Sequence, residues 1–81
     1  MRLAFTARFH GQYIDLPDRV RDKLDKQLRF LSHNLRHPSL HAKKYDESRE
    51  VWQARVDRHY RFYFQVQADT YVLLSVIPHP K

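Results

Sequence analysis

The chain has 81 residues and a formal net charge of +6, from 15 lysines and arginines against 9 acidic residues. This length leaves room for one small hydrophobic core, so we expect a single domain over residues 1–81. A 42% hydrophobic content argues against disorder, the lack of cysteine excludes disulfides, and no apolar run could cross a membrane. We therefore expect a cytoplasmic domain whose positive charge favours an anionic partner.

The first two predicted elements are a short strand and a short helix. Residues 2–6 alternate between apolar and polar side chains, which indicates a strand. Thr6 is a suitable N-cap for a helix in which Phe9, Tyr13 and Leu16 lie on one face.

A second and longer helix is the most regular pattern in the sequence. Pro17 stands at its start, where a missing N–H is harmless. We expect its end near Arg36 or His37, because Pro38 disfavours a helical residue before it. The apolar stripe of this helix consists of Val20, Leu24, Leu28, Leu31 and Leu35. The polar segment 37–50 that follows is either a loop or an edge strand.

Two alternating runs, 51–57 and 60–67, predict a β-hairpin centred on Arg58. One register matches apolar residues with apolar residues at every step, which supports it. Its pairs are Trp52–Phe64, Gln53–Tyr63, Ala54–Phe62, Arg55–Arg61 and Val56–Tyr60.

The last predicted strand, 70–77, is apolar on both faces, as expected for a central strand that is covered on both sides. Alternation places Tyr71, Leu73 and Ile77 on one face of it. The predicted order is β-α-α-β-β-β. We therefore predict an α+β fold, with a small, mainly antiparallel sheet and two helices packed on one face.

The open face of this sheet concentrates positive charge. Arg55 and Arg61 are opposite each other in the predicted register, which is unfavourable unless an anion lies between them. Guanidinium groups suit phosphate, and Lys43 and Lys44 precede the hairpin, so the surface is suited to binding phosphate. The alternative is that both arginines form ion pairs with Asp57 or a nearby glutamate and belong to an ordinary solvated face of the sheet without a binding role.

The six histidines do not have the spacing of a metal site, and we expect no metal and surface positions for most of them. His79 differs because it follows the last strand, near the arginines, where an imidazole could transfer protons. The alternative for His79 is a frayed chain end. Among the aromatic residues, we expect Tyr63 to be the one that meets a base, because it shares the arginine face. The others belong to the core: Trp52, Tyr60, Phe62 and Phe64.

Several segments match one family in pattern and order. They are HPSLHAKKY at 37–45, VWQARVDRHYRFYF at 51–64, FTARF at 5–9 and DTYVLLSVIPH at 69–79. Over nearly the whole chain, these segments resemble the RelE/ParE superfamily of bacterial toxins. The resemblance implies the toxin of a type II toxin–antitoxin pair. Its partner would be an antitoxin with an acidic segment that folds on binding.

One branch of this superfamily cleaves mRNA on the ribosome and uses the 2′-hydroxyl of the RNA as nucleophile, without metal or other cofactor. Carried over by position, the resemblance implies that Arg61 binds phosphate, that Arg55 supports it, and that His79 is a general acid or base. It also implies that Lys43 and Lys44 bind RNA. We therefore expect an RNA endonuclease that inhibits translation.

The sequence departs from the family pattern in two places. A tyrosine often found beside the histidine is missing, since Pro80 and Lys81 follow His79. The carboxylate base of some members has no clear counterpart, and Glu47 and Glu50 are the loose candidates. Two alternatives therefore stay open: a non-catalytic toxin that inhibits DNA gyrase, and a nucleic-acid-binding module without toxicity.

Overall fold

The computed structural model describes residues 1–79, which form five strands in one sheet and two α-helices. The strand order is β1-β5-β4-β3-β2; β1 is parallel to β5 and the other pairs are antiparallel. In chain order the elements are β1 (Arg2–Phe5), α1 (Ala7–Asp15), α2 (Asp18–His33), a 3-10 turn (Pro38–Leu40), β2 (Lys43–Asp46), β3 (Val51–Arg55), β4 (Tyr60–Gln67) and β5 (Thr70–Pro78). The predicted α+β class is confirmed, and the segment left open between loop and strand forms the edge strand β2.

The β3–β4 hairpin has the predicted register, from Trp52 opposite Phe64 to Arg55 opposite Arg61. A hydrogen bond from the Val56 amide to the Tyr60 carbonyl, 3.1 Å long, continues it toward the turn. The hairpin therefore sends its large apolar side chains to one face and its arginines to the other.

The core lies between α2 and the apolar face of the sheet. Phe62 and Phe64 are fully buried there, and Trp52 and Tyr60 pack against the cluster from its rim, as predicted. The helices contribute Phe9, Val20, Leu24, Leu28 and Leu31 to the core, and Leu16, the residue that follows α1, joins them. Both helices therefore contribute to one apolar layer. No helix within residues 1–79 is long and apolar enough to span a membrane.

Strand β5 departs from strict alternation. Its pairing with β4 shifts between Tyr63 and Phe64, so Leu74 is an extra residue in β5. Val76 is therefore buried in the core at 2% exposure, whereas Ile77 lies on the open face at 37%. The sequence predicted that Ile77 lies on the same face as Tyr71 and that both faces of the strand are covered. Both predictions are wrong for this end of β5.

Helix α2 ends at His33, earlier than predicted. Asn34 leaves the helical conformation, with φ −160° and ψ 105°, and its amide closes the last turn on the Phe30 carbonyl at 2.8 Å. The Asn34 side chain then accepts a hydrogen bond from the Arg36 amide at 3.0 Å. This local turn ends the helix before Pro38 constrains it, and Leu35 still packs against the core.

Thr6 joins α1 to β5 at the point where β1 ends. Its hydroxyl oxygen accepts a hydrogen bond from the Phe9 amide at 3.1 Å, which confirms the predicted N-cap. The same hydroxyl lies 2.9 Å from the Leu73 carbonyl oxygen, to which it donates. Gln12 of α1 accepts a hydrogen bond from the Val76 amide at 2.9 Å, so α1 satisfies backbone groups of β5 that β1 does not reach.

We expect Thr6→Val to lower the free energy of unfolding by about 1–2 kcal/mol, because the helix loses its cap while the side-chain volume is kept. Urea denaturation measures the change. Thr70→Val is the matched control, since the Thr70 hydroxyl contacts only the adjacent Asp69 side chain on the surface. Equal stability of the Thr6→Val protein and the wild type would contradict the role of the cap.

Candidate functional site

A cleft of about 380 Å³ lies over the open face of the sheet, and polar and basic side chains line it. Sheet register brings them together: Lys43 is opposite Gln53, and Arg55 is opposite Arg61. The lining residues are His41, Ala42, Lys43, Gln53, Ala54, Arg55, Arg61 and His79. Four residues singled out from the sequence, Lys43, Arg55, Arg61 and His79, therefore share one cleft.

Arg61 is held by neutral groups. Its Nη1 donates hydrogen bonds to the carbonyl oxygens of Asp57, at 2.6 Å, and Tyr60, at 2.9 Å. The Asp57 carboxylate instead accepts from the His59 and Tyr60 amides, at 2.8 and 2.9 Å, and lies 3.9 Å from Lys23 Nζ. The guanidinium is therefore oriented by the backbone, and its positive charge is not neutralised there.

Neither arginine forms an ion pair with a carboxylate of residues 1–79. The alternative interpretation, in which Arg55 and Arg61 pair with Asp57 or a nearby glutamate, is therefore wrong for the described part of the chain. The Nε of Arg55 is also buried, and it has no hydrogen-bond acceptor among these residues. Leaving a buried donor unpaired costs about 1–3 kcal/mol. The cleft favours an anion for a different reason, which is that the charges of the two guanidinium groups are not neutralised within residues 1–79.

Gln27 supports this site from behind the sheet. Its side chain is only 6% exposed, and its Nε2 donates to the carbonyls of Arg55, at 2.8 Å, and Ser39, at 3.0 Å. The Ser39 hydroxyl donates back to Gln27 Oε1 at 3.1 Å. Helix α2 thereby fixes the end of β3 and the turn before β2. One feature of the sequence indicates this role: Gln27 is a polar residue that lies on the apolar stripe of α2.

His79 extends the sheet beyond β5. Its amide donates to the His59 carbonyl oxygen at 2.6 Å, so the backbone at this position is hydrogen-bonded rather than frayed. The exposed imidazole lines the cleft beside Arg55 and Arg61. Pro80 and Lys81, which follow His79, lie outside the described residues.

His41 is a cleft residue that the sequence reasoning missed. Its backbone is left-handed, with φ 47° and ψ 42°, which ends the 3-10 turn and leads into β2. When the β2–β3 register is continued two residues past Lys43, His41 comes to the level of Arg55. Only the β2–β3 register could have indicated that His41 lies in the cleft, and this register cannot be assigned without knowing that β2 is a strand.

The two lysines of β2 point in different directions. Lys43 lines the cleft, whereas Lys44 is opposite Trp52, with its Nζ 5.5 Å from the centre of the Trp52 ring and 3.9 Å from the Glu47 carboxylate. Alternation along a strand explains the difference, because neighbouring residues face opposite sides. The structure therefore brings Lys43 into the site and does not bring Lys44.

A second, shallower groove adjoins the cleft and contains Tyr63. Tyr63 is only 8% exposed, and its hydroxyl accepts a hydrogen bond from Gln53 at 2.9 Å. Tyr45 packs edge-on against it, with ring centres 5.0 Å apart, and is 61% exposed. Arg8 and Arg49 also line this groove. The accessible aromatic ring next to the cleft is thus Tyr45, supported by Tyr63.

Comparison with known proteins identifies the fold. No protein-family model and no curated protein matches the chain by sequence. The chain is similar in structure to the YoeB/ParE toxin from Agrobacterium tumefaciens, with TM-score 0.83 and 15% identity over 99% of this chain and 100% of that one. It is also similar to a YoeB dimer from Staphylococcus aureus, with TM-score 0.81 and 13% identity over 99% and 98% of the two chains.

The intact RelBE toxin–antitoxin complex of E. coli contains a third similar chain, with TM-score 0.75 and 19% identity over 99% of this chain and 98% of that one. The chain therefore has the fold of the RelE, YoeB and ParE toxins. This confirms, for the fold, the resemblance that the sequence suggested.

We expect Gln27→Leu to lower the free energy of unfolding by about 1–3 kcal/mol, because the carbonyls of Arg55 and Ser39 lose their donor in a buried place. Chemical denaturation followed by circular dichroism measures it. Gln67→Leu is the control, since Gln67 is exposed and bonds only to the side chain of Gln65. A Gln27→Leu protein as stable as the wild type would mean that these bonds contribute nothing.

Proposed function

We propose that this protein is the toxin of a type II toxin–antitoxin pair and that it cleaves mRNA on the ribosome without a metal ion. The observation that carries the proposal is the arginine pair. Arg55 and Arg61 face each other in one cleft with His79, and no carboxylate of residues 1–79 pairs with either of them. The fold of RelE and YoeB toxins supports the same conclusion.

The cleft contains the groups that cleavage by the 2′-hydroxyl of RNA requires. As this oxygen attacks phosphorus, negative charge builds on the two non-bridging phosphate oxygens. The guanidinium groups of Arg55 and Arg61 can bind these oxygens in a fixed orientation, because the backbone carbonyls of Asp57 and Tyr60 already hold Arg61. His79 can act as the general acid or base that carries a proton to or from a reacting oxygen.

The neighbouring groove offers a place for the adjacent nucleotides. Tyr45 presents an accessible ring on which a base can stack, and Tyr63 supports it from below. Arg8 and Arg49 line the same groove, and Lys43 lies on the cleft side, so basic groups follow both parts of the surface. Lys44 lies over the Trp52 ring, so it would contact RNA only if the RNA extends around the β2 edge of the sheet.

We propose an acidic antitoxin segment as the protein partner. Structures similar to this chain include the YoeB-YefM complex of Staphylococcus aureus and the RelBE complex of E. coli. In this chain, the unneutralised charges of Arg55 and Arg61 are the features that an acidic segment would complement. An antitoxin bound there would exclude RNA from the same cleft.

We expect Arg61→Ala to reduce mRNA cleavage about 10²- to 10³-fold and to abolish growth inhibition, because one phosphate-binding donor pair is lost. Induction in cells, followed by growth curves and mapping of mRNA 5′ ends, measures both effects. Arg29→Ala is the matched control, since it removes the same charge from the exposed side of α2. Circular dichroism verifies that both variants fold.

The outcomes separate the candidate functions. A folded Arg61→Ala protein with full toxicity would overturn the proposed site. Intact messages together with a DNA-damage response on induction of the wild type would indicate gyrase inhibition instead. No growth effect at all would indicate a nucleic-acid-binding module without toxicity.

We expect Lys43→Ala to weaken the salt dependence of binding to single-stranded nucleic acid. One lost phosphate contact reduces the slope of log K against log salt by about 0.7. Fluorescence anisotropy with a 2′-deoxy oligonucleotide, which lacks the nucleophile, measures the slope. Lys26→Ala is the control, because Lys26 lies on α2 over the Phe30 ring. Equal slopes for Lys43→Ala and wild type would remove Lys43 from the binding surface.

A further inference from the structure

We propose that His41 and His79 together form the general acid–base pair of this cleft. The inference rests on the proposed function and deepens it, because it names the two groups that move the protons. Both imidazoles line the cleft that contains Arg55 and Arg61.

The two histidines lie on opposite sides of the arginine pair. Continued past Lys43, the β2–β3 register would bring His41 to the level of Arg55, whereas the His79 amide is bonded to the His59 carbonyl in the hairpin turn, next to β4. The strands that they adjoin, β2 and β5, lie three strand spacings apart in the sheet, which is about 14 Å between backbones. A phosphodiester held by the arginines would therefore lie between two imidazoles that reach inward from either side.

The backbone at His41 is held in an unusual conformation. Its left-handed φ and ψ angles are uncommon for a residue with a side chain, although histidine is among the residue types that tolerate them. The flanking chain enforces this geometry: Leu40 is fully buried, Ser39 is bonded to Gln27, and the His41 amide donates to the Pro38 carbonyl at 3.3 Å. Conformations of this kind persist where the surroundings over-determine them, which is frequent at functional sites.

The residues around His41 offer no carboxylate that could serve as the base. On its cleft side it faces Lys43 of β2, Arg55 of β3, Arg61 of β4 and His79 after β5. On its other side, a separate groove next to the 3-10 turn contains Arg36 and His37.

The two glutamates considered from the sequence are occupied or remote. Glu47 lies 3.9 Å from Lys44 on the other side of β2, and Glu50 stands exposed in the β2–β3 turn. Among the described residues that line the cleft, none is a carboxylate, which leaves the two imidazoles as the candidates for general acid–base catalysis.

The reaction balances with these two groups. One imidazole accepts the proton of the 2′-hydroxyl as the 2′-oxygen bonds to phosphorus. The bond between phosphorus and the 5′-oxygen breaks, its electron pair stays on that oxygen, and the second, protonated imidazole donates a proton to it. The products are a 2′,3′-cyclic phosphate and a 5′-hydroxyl end, and no other reactant is required.

His41→Asn tests the pair. Asparagine tolerates the left-handed conformation but cannot transfer a proton at neutral pH, so we expect cleavage to fall about 10²- to 10⁴-fold. Binding of a 2′-deoxy oligonucleotide should stay within about twofold of wild type, because Arg55 and Arg61 are unchanged. The pH–rate profile, bell-shaped in the wild type, should lose one limb. His33→Asn, an exposed histidine at the end of α2, is the control and should change nothing.

A second variant separates chemistry from folding. His41→Gly relieves the backbone constraint, so we expect it to be at least as stable as wild type in thermal melts, and inactive. Added imidazole should restore part of its activity, which a merely structural role for His41 would not allow. An RNA with sulfur in place of the 5′-bridging oxygen needs no general acid, because a thiolate leaves without a proton. This RNA should therefore restore cleavage in the variant that lacks the acid histidine and should not restore it in the variant that lacks the base histidine.

The failures are distinguishable. A wild-type protein that cuts no message overturns the proposed function and the pair with it. A wild-type protein that cuts, with a His41→Asn variant that cuts at the same rate and keeps the bell-shaped profile, overturns the pair alone.

Discussion

The register of the β3–β4 hairpin is the constraint on which both the core and the cleft depend. Side chains alternate along a strand, so one register sends Phe62 and Phe64 to the core and Arg55 and Arg61 to the open face. A slip of one residue would bury both arginines and expose both phenylalanines. The apolar pairs therefore fix the opposed arginines in place. The burial of apolar side chains that stabilises the domain therefore also places two arginines, which repel each other, on its surface.

This opposed pair explains why the cleft favours an anion. The backbone carbonyls that hold Arg61 orient it without neutralising it, and the carboxylate of Asp57 is used for the turn and faces Lys23. Phosphate and acidic side chains both supply the missing charge. On the proposed function, substrate and antitoxin therefore compete for one cleft.

Alternation and helical periodicity were sufficient to predict the hairpin register, the N-cap at Thr6 and the α2 stripe, because these features are local. Three site features were not local: the extra residue in β5, the faces of Lys43 and Lys44, and the position of His41. The extra residue Leu74 in β5 is visible only in the pairing with β4, and it decides that Ile77 lies on the open face. The faces of Lys43 and Lys44 depend on a pairing with β3 that the polar segment does not reveal.

The position of His41 could not be predicted because it depends on contacts with α2, which is distant in the sequence. A left-handed residue is specified by what surrounds it, and here Gln27 bonds to Ser39 on one side and to Arg55 on the other. One buried amide thereby ties the segment that carries His41 to the strand that carries Arg55. The spacing between His41 and Arg55, the acid–base group and the phosphate-binding arginine of the proposed function, is thus set by the core face of α2. Gln27, a side chain that does not line the cleft, therefore contributes to fold stability and, on the proposed function, to the geometry of the site.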